Sequence, residues 1–89
     1  MAKLEKILKS WERKPKEVRR DEVVNVLEKL GFELDFKRGS HIVVRHKKLK
    51  GQPDFGLNGE FTIPTVKGRY VKGFYLKDIL TAIEIITED

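Results

Sequence analysis

Phe32, Leu34 and Phe36 alternate with Glu33, Asp35 and Lys37, and a few residues later Ile42, Val44 and His46 alternate with His41, Val43 and Arg45. A period of two puts the apolar members of each run on one face of a strand. The link between the runs is so short that the two strands read as a hairpin. Such a hairpin has one apolar face that must be covered and one polar face that can stay in solvent, which calls for helices on one side.

The apolar positions also select a register. Leu34 opposite Ile42 and Phe32 opposite Val44 leave Phe36 opposite Ser40, with a three-residue loop Lys37-Arg38-Gly39. Its last residue is a glycine, able to take the left-handed conformation at low cost. The same register sets His41 opposite Asp35 on the face away from the core.

The covering helices are legible on either side. Leu4, Ile7, Leu8 and Trp11 recur at helical spacing, with Lys3, Glu5, Lys6 and Lys9 opposite them, until Lys14-Pro15-Lys16 ends the helix. From about Arg20 to Leu30 a second stripe runs through Val23, Val26, Leu27 and Leu30, with Asp21 and Glu22 at its positive end and Gly31 as its stop. No Ser, Thr or Asn offers an N-cap. A third strand is expected over Glu60 to Val66 with Phe61 and Ile63 inward, Pro64 marking an edge or an end. Residues 47–59, with Gly51, Pro53, Gly56 and Gly59, read as a flexible connection. Leu76, Ile79, Leu80, Ile83 and Ile86 form the strongest helical stripe of the chain.

The expected fold class is α+β, a three-stranded antiparallel sheet with helices packed on one face in the order α-α-β-β-β-α. With 89 residues there is room for one core, so one domain is expected over residues 1–89, made of a helical extension over 1–13 and an α-β-β-β-α core over 18–87.

Composition narrows the chemistry. Cysteine is absent and histidine occurs twice, which excludes disulfides and leaves no convincing metal site. Neither a phosphate-binding glycine loop nor a dinucleotide fingerprint is present, and no cofactor is expected. No apolar run approaches the length needed to span a bilayer, and the N-terminus does not resemble a signal peptide, so the chain reads as a cytoplasmic protein with no membrane partner. The net charge of +5 is unevenly spread. Lys37, Arg38, Arg45, Lys47, Lys48 and Lys50 follow one another with no acid between Asp35 and Asp54, and Lys67, Arg69, Lys72 and Lys77 lie between Glu60 and Asp78. Basic runs of this kind attract an anionic polymer, although they also serve plain solubility.

Among these cations His41 is the residue suited to proton transfer near neutral pH. Cleavage of RNA needs a base for the 2′-OH proton, an acid for the leaving oxygen and cations for the phosphorane-like transition state. His41 fits the first two needs, with Lys37, Arg38, Arg45 and Lys47 for the third and Asp35 to orient the imidazole. A Ser40-His41 nucleophile pair is disfavoured, because neighbours along a strand point to opposite faces. His46 points to the core edge, Trp11 reads as a core residue at a helix end, and Tyr70 and Tyr75 flank the second basic run. Most lone histidines are surface residues without catalytic duty, so residue type alone does not decide the matter.

A resemblance adds to this. Val23-Val24-Asn25-Val26-Leu27-Glu28-Lys29-Leu30-Gly31-Phe32, Lys37-Arg38-Gly39-Ser40-His41, Arg45-His46, Thr62-Ile63-Pro64 and Val71-Lys72-Gly73-Phe74-Tyr75-Leu76-Lys77-Asp78-Ile79-Leu80 resemble HicA-type toxins, small RNA-cleaving members of toxin–antitoxin pairs. A short N-terminal helix followed by Pro-Lys, here Pro15-Lys16, is also frequent in that family. The resemblance implies a double-stranded-RNA-binding-domain-like fold and a metal-independent mRNA interferase, an endoribonuclease, with His41 catalytic. It also implies inhibition by a HicB-type antitoxin that covers His41. The RNA-binding set expected on this basis is Lys37, Arg38, Gly39, Ser40, Arg45, Lys47 and Lys48. Many members carry a second histidine where this chain has Ile42, and a proline with a short connection where it has Lys47 and a longer loop. The alternatives are a non-catalytic RNA-binding module on the same face and a domain read only by a protein partner.

Overall fold

The computed structural model describes residues 2–53 and 55–87; the side chains of residues 2, 3, 37 and 38 also lie outside the described set. Helix α1 spans Ala2–Glu12, strand β1 Glu17–Arg19, and helix α2 Arg20–Lys29. Strands β2 (Glu33–Arg38), β3 (His41–Arg45) and β4 (Glu60–Pro64) follow, then β5 (Tyr70–Lys72) and helix α3 (Leu76–Thr87). Strands β2, β3 and β4 form an antiparallel sheet with β3 in the middle. The fold is α+β with a three-stranded antiparallel sheet, as the alternation and helical stripes require.

The apolar stripes meet in one cluster. Trp11, Val23, Val26, Leu27, Ile79, Ala82, Ile83 and Ile86 from the helices join Ile42 and Val44 of β3 and Ile63 of β4, all buried. Strand parity then fixes the other face: His41, Val43 and Arg45 of β3 alternate with the buried pair. Pro64 is the last residue of the edge strand β4, where no ladder donor is needed.

The hairpin register differs from the expected one. Leu34 pairs with Val44 and Asp35 with Val43, then a bulge follows, and Arg38 pairs with His41. The connection is thus the two residues Gly39-Ser40, with Gly39 at φ +64°. A glycine opening a two-residue turn suits the twist of a hairpin, and the bulge absorbs the extra residue that the tighter turn releases. His41 accordingly faces Arg38, not Asp35. Phe36, expected in the core, is 40% exposed at the bulge, with the Arg20 guanidinium 4.9 Å above its ring.

Two features carry no periodic signal. β1 and β5 form a second antiparallel ribbon, with Glu17 opposite Lys72, Val18 opposite Val71 and Arg19 opposite Tyr70. Beyond it the Gly73 N–H donates to the Lys16 carbonyl at 2.7 Å, so close that a Cβ on Gly73 would fall on the carbonyl oxygen of Pro15. The stretch after β3 is more than a bare connection. It opens with a 3₁₀ turn at Lys47–Leu49 and sends Leu49 and Phe55 into the core, Phe55 lying 5.2 Å from the Phe61 ring.

Arg19, the N-cap of α2, makes no side-chain cap bond, as the absence of Ser, Thr or Asn there foretold. One of the helix's orphan donors is satisfied from elsewhere: Arg20 N–H donates to the Arg69 carbonyl at 2.8 Å. Arg69 belongs to the tight turn between β4 and β5, where Lys67 and Gly68 both take positive φ, +53° and +67°. None of the described helices is long and apolar enough to cross a membrane.

Candidate functional site

His41 is the first residue of β3, exposed, on the face of the sheet that the helices leave open. It opens onto a cavity of about 380 Å³ shared with Asp35, Val43, Arg45, Glu60 and Thr62. Asp35 and His41 therefore line one concavity without being register partners, because both lie on the same face as Val43.

Ser40 does meet His41. Its Oγ lies 3.3 Å from His41 Nδ1, with donor and acceptor roles set by the imidazole tautomer. The parity argument against this contact fails because Ser40 sits in the turn, where strand alternation does not apply. The Ser40 carbonyl is fixed from the neighbouring strand end, accepting the Thr65 N–H and the Thr65 hydroxyl, each at 2.7 Å. His41 thus emerges from a turn pinned on one side, its Nε2 making no hydrogen bond among the described residues.

The other expected residues are scattered. Gly39 is in the turn, and Lys37 and Arg38 end β2, their side chains outside the described residues. Arg45 lies four residues along β3 from His41, about 13 Å at the usual strand rise. Its Nε and Nη2 donate to Glu60 Oε2 at 3.0 and 2.7 Å, and its Nη1 lies 3.7 Å from Glu33. The hydrogen bond and charge of Glu60 hold the guanidinium even more firmly protonated than usual. Lys47 is exposed in the 3₁₀ turn, whereas Lys48 Nζ donates to the Ile86 carbonyl at 3.1 Å, near the C-terminus of α3 where a cation is favoured.

Among the described side chains, the cavity beside His41 holds Asp35 and Glu60 against Arg45. Those three groups sum to one net negative charge. His46 serves structure: Nδ1 accepts the Lys48 N–H at 3.0 Å, and the ring stands edge-on to Phe32 at 5.3 Å. Burial foremost, then the charges of Lys48 and Lys47, push its pKa below the usual value.

Sequence reasoning passed over Thr65 and the turn at Lys67-Gly68. A Val-Lys-Gly-Arg-Tyr stretch between two apolar runs carried the signal of a short glycine-bearing turn; the structure closes it by pairing Val66 with Tyr70 across three residues. No group of three or more His, Asp or Glu among the described residues is arranged to hold a metal ion.

Comparison with known proteins gives one clear result. The family model for the HicA toxin of bacterial toxin–antitoxin systems matches residues 20–85, from the first residue of α2 nearly to the end of α3. No curated protein and no solved structure matches the chain. Helix α1 and strand β1 lie outside the matched region, while the hairpin, the pinned turn and His41 lie within it. The chain belongs to the HicA toxin family, and so to the toxin side of a two-component system whose other member is an antitoxin.

Proposed function

We propose that this protein is an mRNA interferase, an endoribonuclease that cleaves RNA without a metal and uses His41 as general acid or base. The position of His41 carries the reading: exposed, at the start of a central strand, with Nδ1 beside Ser40 Oγ and Nε2 open to a substrate. Family membership supports it, since HicA toxins act as the toxic partner of a pair.

The chemistry is transesterification. The 2′-oxygen attacks phosphorus, the bond from phosphorus to the 5′-oxygen breaks, one proton leaves the 2′-hydroxyl and one reaches the departing oxygen. His41 performs one of these transfers, and Asp35 across the shared cavity orients its ring. Lys37, Arg38, Gly39, Ser40, Arg45, Lys47 and Lys48 make up the RNA-contacting set, through charge or exposed backbone donors. A HicB-type antitoxin in the cytoplasm silences the enzyme by covering His41.

The test is cleavage of RNA by purified protein in EDTA. His41→Ala is expected to abolish cleavage while leaving the circular dichroism spectrum and melting temperature unchanged. A folded His41→Ala protein that still cuts RNA overturns the assignment, and salt-sensitive binding without any cleavage by the wild type would make the chain a non-catalytic RNA-binding module.

A further inference from the structure

Among the described side chains of the cavity beside His41, Asp35 and Glu60 outnumber Arg45, so a polyanion drawn to His41 gains from cations beside the sheet. A different part of the surface meets that need. Thr65 follows Pro64, the register partner of His41, and it grips the Ser40 carbonyl. The tight turn that follows therefore stands next to the His41 turn. Its positive φ at Lys67 and Gly68 leaves Lys67 at the tip, exposed, and Arg69 is exposed beside it.

The Arg69 carbonyl receives the Arg20 N–H, which brings the start of α2 against the same turn. Arg19 and Arg69 line one cavity of about 310 Å³ with Asp21, Gly68 and Tyr70. Arg20 reaches the other way, over Phe36 at the bulge of the catalytic hairpin, with its Nη1 3.6 Å from Asp21. Arg19, Arg20 and Arg69 thus lie about one carboxylate, Asp21, with Lys67 at the tip of the adjoining turn. Two separate segments supply them; the Arg20 N–H to Arg69 carbonyl bond holds those segments together, and the Thr65 N–H to Ser40 carbonyl bond ties the second to the His41 turn.

We propose that this corner, built from Arg19, Arg20, Lys67 and Arg69, is the principal grip on the RNA backbone. It holds phosphates flanking the one presented to His41. The inference rests on the ribonuclease reading and deepens it by moving the main electrostatic contact from Arg45, Lys47 and Lys48 to a cluster that no single run of sequence contains. Phosphate contacts of this type fix register and affinity without reading bases. Tyr70 in the same cavity gives a ring against which a sugar or base can pack.

The experiment measures binding of a fluorescein-labelled, mixed-sequence single-stranded RNA to His41→Ala protein, across a salt series. Arg69→Gln and Lys67→Asn are introduced into that background; asparagine tolerates the positive φ at position 67. Each is expected to weaken binding about fivefold or more and to flatten the dependence of log K on log salt by about 0.7 for each lost phosphate contact. Lys9→Gln on α1 should do neither. In the active chain the same two substitutions should raise KM well beyond any change in kcat. Unchanged affinity and salt slope in both variants, with the wild type still cutting RNA through His41, overturn this inference alone. A wild-type chain that neither binds nor cuts RNA overturns it together with the ribonuclease reading.

Discussion

Thr65 holds the carbonyl of Ser40 with two donors, its own N–H and its hydroxyl, both at 2.7 Å. The first bond belongs to any residue at that position; the second belongs to a hydroxyl. The pair ties the turn that launches His41 to the end of the adjacent strand.

Thr65→Val keeps the shape and the N–H but loses the hydroxyl bond, worth about 0.5–1.5 kcal/mol net for a typical hydrogen bond. Its melting temperature should fall by only a few degrees. If the pinned turn positions His41, kcat for RNA cleavage should fall severalfold while KM stays near wild type, and Thr65→Ser should restore it. An equal loss in the serine variant would show that the hydroxyl is not what matters.

Glu60 engages Arg45 through two hydrogen bonds to one carboxylate oxygen, so this cation of the sheet face is already engaged. Glu60→Gln keeps an acceptor but removes the negative charge and frees Arg45 to meet phosphate. RNA affinity at low salt should rise, with a steeper salt dependence, and the gain should vanish in the Glu60→Gln, Arg45→Gln double variant. Weaker binding in the single variant would mean that the ion pair itself shapes the site.

His46 gives the fold a pH dependence of known sign. Its folded pKa lies below the ordinary 6.5, because burial and the nearby charges of Lys48 and Lys47 disfavour the imidazolium. The unfolded chain therefore takes up this proton at a higher pH than the folded one. The associated stability is present above the unfolded value and is lost as pH falls through the folded one. His46→Asn supplies an acceptor for the Lys48 N–H without titrating. In urea melts, the wild-type advantage over this variant should shrink between about pH 7.5 and pH 5.5; a constant gap would remove His46 from the account.

Trp11 is 1% exposed, and its Nε1 has no hydrogen-bond partner among the described residues. A buried donor left unpaired costs about 1–3 kcal/mol, whereas an emptied aromatic site costs about 3–5 kcal/mol. Trp11→Phe is thus expected to unfold within about 1 kcal/mol of wild type, and Trp11→Ala several times further away. Equal destabilisation by both would mean that the indole nitrogen is satisfied in solution. Either way the measurement reports how firmly α1, which lies outside the family match, is seated on the rest.

The sheet was legible because Phe32, Leu34, Ile42 and Val44 obey the period of two that marks strands with one buried face. The three helices were legible through equally regular stripes. What escaped was local or long-range geometry. The bulge after Asp35 depends on whether the turn takes two residues or three, a choice that apolar parity alone leaves open. The β1–β5 ribbon pairs two three-residue strands more than fifty positions apart, too short to carry alternation. Leu49 and Phe55 are buried singly, with no repeat to announce them. His41 stood out early among its cations, yet the residues that pin its turn lie on a segment whose nearness only the folded sheet creates.

Gly73 has a consequence for the whole N-terminal arm. Its missing side chain is where the Pro15 carbonyl sits, so the path of the N-terminal arm and the approach to the last helix share a single seam. Any side chain at 73 would meet that backbone carbonyl, whatever residue stands at 15, and so would force the linker between α1 and β1 onto another route.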